Sequence, residues 1–524
     1  MFLKIALLVL FFALMLGVGL YCRRSTQGVQ NFVLGGRNVG SWLTAFAFGT
    51  SYFSAVIFVG YAGQFGWRYG LASTWIGLGN ALIGSLMAWR ILGRRTRLMT
   101  QHLGSATMPD FFGSRFGSPA LKVAASLIVF VFLIPYTASL YNGLSRLFGM
   151  AFGIDYTWCV LGMAVLTGAY VLLGGYMATA INDFIQGLIM LAGITAVVIA
   201  VLNANGGFTE AIVRLSSIPS ESAPTLHGAF VSFFGPQPIY LLGVVLLTSL
   251  GTWGLPQMVG KFYAIRDEAA IRKGTIISTL FALVVAGGCY FLGGFGRLYA
   301  GNIEYTAAGT PVYDSIVPAM LQPLPDLMIG IVIVLVLSAS MSTLSSLVLT
   351  SGSTLTLDIV VPATARRQRG AMDERSQLLC IRLLVLFFIA VSSVLAIVQA
   401  KSSVTFIAQL MGISWGALAG AFLAPFLYAL YWKRTTPAAV WCSFAVGIGI
   451  MVVCMACTFS GHPFLSPYFS SPINAGVLAM LLGLVVVPLV SLVTPVRQRA
   501  KVDEMFACYD RTVTVHASTA LEEK

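Results

Sequence analysis

Charge is what this sequence has least of. Asp, Glu, Lys and Arg make up 9% of its 524 residues, against 58% hydrophobic residues and a mean hydropathy of +0.88. A water-soluble fold needs more polar surface than this composition supplies, so the soluble classes are excluded and a polytopic membrane protein remains. Histidine is scarcer still. His102, His227, His462 and His516 are scattered through predicted loops without carboxylate or cysteine partners, which gives no support to a metal centre or to a nucleophile-and-base site. Of the eight cysteines, Cys22, Cys159, Cys289, Cys380, Cys442, Cys454 and Cys457 lie in or at the ends of apolar runs, so no extracellular disulfide framework is visible. Cys454 and Cys457 form a CxxC, but inside an apolar helix without a nearby His or acid it does not read as a metal or redox motif.

What the sequence has in quantity is long apolar runs. Thirteen are long enough to cross a bilayer, over 2–21, 39–64, 71–93, 120–144, 157–175, 182–202, 238–258, 274–296, 326–355, 377–399, 404–432, 437–459 and 473–494. The first lacks a small-residue cleavage site and is followed by Arg23 and Arg24, which predicts a retained anchor. The formal charge of +13 does not point to nucleic acid, because the basic residues sit beside membrane segments and form no groove with interleaved aromatics. Their distribution is asymmetric: one side collects Arg23, Arg24, Arg37, Arg94, Arg95, Arg97, Lys261, Arg266, Arg272, Lys273, Arg366, Arg367, Arg369, Arg375, Lys433, Arg434, Arg497, Arg499 and Lys501. The other receives Lys4, Arg68, Arg146, Arg214, Arg297 and Lys401. The positive-inside rule then predicts a multi-pass protein of the cell membrane with its N-terminus outside and its C-terminus in the cytoplasm, consistent with an odd number of spans. The loops 203–236 and 298–325 read as surface connections, and the stretch after Pro495 as a poorly ordered cytoplasmic tail.

Five stretches depart from what lipid solubility alone explains. In the ninth run Ala339, Ser342, Thr343 and Ser346 fall at i, i+3, i+4 and i+7, so oxygens converge on one helix face while Leu337, Met341, Leu344 and Val348 take others. Single hydroxyls in such helices usually bond back to a carbonyl one turn earlier or join neighbouring helices, but a cluster this dense suits a hard cation such as sodium, which needs an oxygen shell. The second run contains Gly49, Thr50, Ser51, Tyr52, Phe53 and Ser54, where an interruption would expose carbonyls at mid-membrane depth. Asp183 is the acid that no loop accommodates; it is either a helix N-terminal acid favoured by the macrodipole or a functional group that needs a cation partner or water. Pro256 interrupts the seventh run, and in the eleventh Gln409 shares a face with Gly412, Gly416 and Gly420, a small-residue stripe that reads as helix packing.

Taken together, residues 40–54, the Gly174-Gly175 segment through Asp183 to Gly187, residues 339–346 with their Ser-Thr-Leu-Ser-Ser run, and Gly416 through Pro425 to Arg434 resemble the sodium:solute symporter family over nearly the whole chain. The resemblance implies a leucine-transporter-like core of two inverted five-helix repeats, formed by spans two to eleven within 39–434, with one span before (1–38), two peripheral helices after (435–494) and a tail (495–524). It implies a shared sodium site formed by the carbonyls of Thr50, Phe53 and Ala339 and the hydroxyls of Ser342 and Thr343. As in sialic-acid-type members, it implies a second sodium at Asp183, Ser342, Ser345 and Ser346. The family geometry places solute among Tyr52, Phe53, Tyr136, Thr252, Trp253 and Gln409. Where proline transporters carry a Trp and a Tyr on span seven, this chain has Thr248 and Thr252, whereas Tyr136 matches.

The function expected is sodium-driven uptake of a small polar organic solute, with the lipid bilayer, sodium and the solute as partners and no obligate protein partner. The sequence offers no Arg or Lys at mid-membrane depth to clamp a carboxylate, which favours a neutral or zwitterionic amino acid, or a monocarboxylate, over a multiply charged solute. The alternative is a non-transporting membrane sensor or a membrane-embedded enzyme on the same fold. An enzyme would show clustered titratable groups in a cleft, and a sensor a long soluble domain after the last span; neither is expected here.

Overall fold

The structure, a computed structural model, describes residues 2–23, 28–307, 309–368, 372–400, 407–496 and 499–511. Arg24, Arg369, Lys401 and Arg497 of the charge tally and the tail beyond 511 lie outside them. The described chain is helical, and its β-pairing is confined to two isolated bridges, Val39 with Ile265 and Tyr305 with Pro311.

Among the described residues ten helices are long and apolar enough to cross a membrane, and the pair Pro238–Gly254 and Pro256–Ala264, bent by 47°, makes an eleventh. The sequence expectation of thirteen is higher because two of the ten each take in residues from two predicted runs. Val56–His102 and Tyr156–Ala204 are 47 and 49 residues long, more than twice the roughly 20 residues a crossing needs. Each leaves helical geometry once, at a glycine: Gly70 at φ 62°, ψ −140° and Gly175 at φ 52°, ψ −147°. These dihedrals are closed to residues with a Cβ.

The helix Asp326–Leu355 is the centre of the molecule. From Val332 to Thr354 nearly every side chain is buried, on all faces, which in a membrane protein means protein on every side. It packs against Tyr156–Ala204, Pro119–Phe152, Glu374–Ala400, the first helix Phe2–Cys22 and the short helix Ser41–Tyr52. Its hydroxyls are therefore turned toward other helices, where they meet backbone carbonyls.

Glycines set the closest approaches elsewhere. On Ile407–Tyr431 the stripe Gly412, Gly416 and Gly420 faces Pro437–Phe459 and Pro472–Val493, and a Cβ built on Gly416 would lie 2.9 Å from the Cα of Gly476 and 2.7 Å from the sulfur of Met451. Packing is thus what the stripe does. Gly416→Val is expected to overpack this crossing by about 1–3 kcal/mol and to lower the thermal midpoint of the purified protein by several degrees, read by size-exclusion after heating.

Charged side chains pair or stack at several helix ends. At one, Arg94 pairs with Glu268 at 2.8 Å, Arg95 lies over the rings of Tyr431 and Tyr509, and Lys433 pairs with Asp503 at 2.6 Å. The pair Lys433–Asp503 docks a helix, Arg499–Phe506, that was expected to be loose tail; burial of Val502, Met505 and Phe506 holds it there. At another, Arg297 stacks over Trp67 and Phe230. The loops 203–236 and 298–325 contain short helices, Phe208–Ser216 and Ile316–Leu321.

Candidate functional site

The helix Ser41–Tyr52 stops where Phe53 turns extended, at φ −86°, ψ 126°. The last helical bond into it is Phe53 N–H to the Gly49 carbonyl, and the chain restarts with Ile57 and Phe58 donating to Ser54. The carbonyls of Thr50 and Phe53 are consequently left without helical donors in the buried interior, where each needs another partner. The helix Asp326–Leu355 supplies it. Ser342 Oγ lies 3.1 Å from the Thr50 oxygen and 3.0 Å from the Ala339 oxygen. Thr343 Oγ1 lies 3.2 Å from Thr50, 3.3 Å from Phe53 and 3.1 Å from Ala339. Three carbonyls and two hydroxyls, all buried, thus converge without a formal charge. A cation that takes oxygens at about 2.4 Å separates adjacent octahedral ligands by about 3.4 Å, so expansion by a few tenths of an ångström converts this cluster into a coordination shell.

The residues named for a second cation meet differently. Asp183 is fully buried, and its carboxylate lies 3.6 Å from the Nζ of Lys261, itself 5% exposed. Lys261 comes from the short helix Pro256–Ala264, which begins at the Pro256 break. Its ammonium donates to Ser346 Oγ at 3.0 Å and stands over the Tyr176 ring, 5.3 Å from the centroid. Ser346 in turn shares a hydrogen bond with Ser51 at 2.8 Å, one residue from the first cluster. Ser345 turns back to the Ser342 carbonyl at 2.8 Å, and the Ser342 hydroxyl belongs to the first cluster. Of the four residues, only Asp183 and Ser346 come together, and an ammonium joins them. The expectation of no buried Lys at this depth is corrected here: hydropathy assigned Lys261 to a loop, whereas the acid on a distant helix draws it inside. Lys261, Ser346, Tyr176, Gln257 and Ser353 also border a cavity of about 50 Å³.

A third group is aromatic. Trp415 on Ile407–Tyr431 lies against both Tyr52 and Tyr136, with ring centroids 5.7 and 5.9 Å away. The hydroxyls of Tyr52, Tyr136 and Ser54 and the Trp415 indole N–H are all buried and have no hydrogen-bond partner of good geometry. Unsatisfied polar atoms facing one another between rings suit a ligand with apolar surface and hydrogen-bonding groups. Thr252 and Trp253 do not join this group through their polar atoms, contrary to expectation. The Trp253 indole donates to the Ile83 carbonyl at 3.0 Å, and the Thr252 hydroxyl lies 2.8 Å from the Ser249 and 3.3 Å from the Gly84 carbonyl. Both tie the second break to the neighbouring helix. Gln409 is partly exposed near the start of Ile407–Tyr431, about 9 Å along the axis from Trp415. Phe53 is buried and contributes its carbonyl to the oxygen cluster. The sequence reading missed Trp415; its signal was a large ring inside the stripe Gly412 to Gly420.

A membrane helix broken at the point where its free carbonyls meet hydroxyls of a central helix is the architecture of a cation-coupled carrier. A model of the sodium:solute symporter family matches residues 32–447, and the chain belongs to that family. It is similar to the osmoregulated proline transporter of Bacillus subtilis (strain 168), 28% identical over 447 residues that cover 85% of this chain and 87% of the relative. It is also similar to sodium/proline symporter 2 of Staphylococcus saprophyticus, 29% identical over 436 residues, 82% and 81% of the two chains. Its fold is similar to the solved substrate-bound, outward-open state of a Na+-coupled sialic acid symporter, with a TM-score of 0.74 over 95% of this chain and 99% of the other at 16% identity. The protein is therefore a multi-pass membrane transporter rather than an enzyme, and sodium is co-transported with its solute.

Proposed function

We propose that sodium binds among the carbonyls of Thr50, Phe53 and Ala339 and the hydroxyls of Ser342 and Thr343. There its binding drives inward movement of a neutral or zwitterionic amino acid, or a monocarboxylate, held between Tyr52, Tyr136 and Trp415. The observation that carries this is the position of Tyr52, which sits in the chain between two cation-ligating carbonyls and presents its ring to Trp415. A cation that fixes Thr50 and Phe53 fixes Tyr52 with them. Solute that fixes Tyr52 tightens sodium by the same factor, which is the reciprocity coupling requires.

The thirteen-crossing arrangement with two inverted five-helix repeats, N-terminus outside and C-terminus inside, is part of this reading. In its support, the two broken helices part at nearly identical dihedrals, Phe53 at −86°, 126° and Leu255 at −87°, 120°, five predicted spans apart. Division of the long helices at Gly70 and Gly175 restores the count, and the end bearing Arg94, Arg95 and Lys433 matches the positive-inside side.

L-Proline is the first solute to test, because relatives are named for it. Purified protein in proteoliposomes with an inward sodium gradient is expected to accumulate labelled L-proline or a competing amino acid or monocarboxylate. Uptake that is indifferent to replacement of sodium by choline would overturn the reading. Trp415→Ala and Tyr136→Ala are each expected to weaken solute affinity about tenfold and to leave sodium binding measured without solute unchanged. A parallel loss of both would mean collapse of the fold.

A further inference from the structure

We infer that the ammonium of Lys261 takes the place of a second sodium, so that this chain binds one sodium where sialic-acid-type relatives are expected to bind two. The inference rests on the assignment of the first sodium to the Thr343 cluster. The acid that would balance a second cation, Asp183, already has a cation 3.6 Å away, supplied by the chain itself. That ammonium uses the hydroxyl of Ser346 at 3.0 Å and the face of Tyr176, so its remaining partners are those a second sodium would need. Ser342 and Ser345, the other candidate ligands, direct their hydroxyls to the Thr50, Ala339 and Ser342 carbonyls instead.

Charge arithmetic favours the same conclusion. Asp183 and Lys261 together are neutral, and a sodium added beside them would leave a net positive charge buried in low dielectric, close to the first sodium across the Ser51–Ser346 hydrogen bond. A tethered ammonium also cannot be carried across and released. It anchors Pro256–Ala264, the segment after the second break, to the acid on Tyr156–Ala204 and to the central helix. The broken pair thereby acquires on one side a sodium that comes and goes and on the other a cation that stays.

Equilibrium binding of radioactive sodium to the full-length protein in nanodiscs, without solute, tests this. Wild type is expected to bind one sodium per chain, and Ser342→Ala with Thr343→Ala to weaken that ion by tenfold or more. Lys261→Gln leaves Asp183 unbalanced and is expected to bind two. Asp183→Asn with Lys261→Gln, neutral again and independent of the single variant's folding, is expected to return to one. Two sodium ions on the wild-type chain overturn the inference and leave the Thr343 assignment standing. A folded Lys261→Gln that binds one ion overturns it too. A wild-type chain that binds none removes the Thr343 assignment and this inference with it.

Discussion

Thr343→Ala raises the sodium concentration for half-maximal uptake by about ten to a hundredfold, and Ser342→Ala does so to a similar extent. The Thr343 hydroxyl lies within 3.1 to 3.3 Å of three carbonyl oxygens, two of them shared with the Ser342 hydroxyl. Its loss takes one neutral ligand from the shell and leaves a cation under-coordinated where water cannot easily replace it, a cost of about 1–3 kcal/mol. Thr343→Ser keeps the oxygen and is expected to stay within about threefold of wild type. The measurement is sodium-dependent uptake at matched membrane expression, together with sodium binding in the absence of solute. Unaltered sodium dependence in both alanine variants would exclude the cluster as the coupling site.

That cluster was legible in the sequence for a definite reason. Both halves are local patterns: a hydroxyl face repeats at helical spacing between Ala339 and Ser346, and Gly49 to Ser54 interrupts an apolar run with groups that tolerate a break. The structure joins them through the Ser342 and Thr343 hydroxyls, a meeting that only the family resemblance had implied. Lys261 was not legible, because hydropathy treats every lysine as a loop marker and its burial is decided by Asp183, far earlier in the chain. Thr252 and Trp253 were placed correctly at a break, but which way a side chain leaves a break depends on the helix packed beside it, here the one carrying Ile83 and Gly84. Trp415 was overlooked for a related reason. In a run of glycines and alanines a packing stripe and a pocket wall have the same composition, and only the approach of Tyr52 and Tyr136 distinguishes them.

Lys261→Gln is expected to destabilise the protein in sodium-free buffer by about 3–5 kcal/mol, the cost of leaving a buried carboxylate without its counter-charge. Asp183 has no alternative donor: neither of its oxygens accepts a hydrogen bond, so its compensation is the ammonium at 3.6 Å. Asp183→Asn with Lys261→Gln removes both charges together, and a large part of the loss is expected to return, because the pair contributes much less than the penalty for breaking it. Sodium supplies a second comparison. If the vacated position takes an ion, sodium at about a hundred times its dissociation constant restores about 2.7 kcal/mol to the single variant, over and above its effect on wild type, whereas choline restores nothing. Thermal midpoints of the three proteins in sodium and in choline measure both effects at once. A single variant as stable as wild type in choline would mean that the Asp183 carboxylate is not charged, and the ion pair would then have no part in holding the second broken helix to the central one.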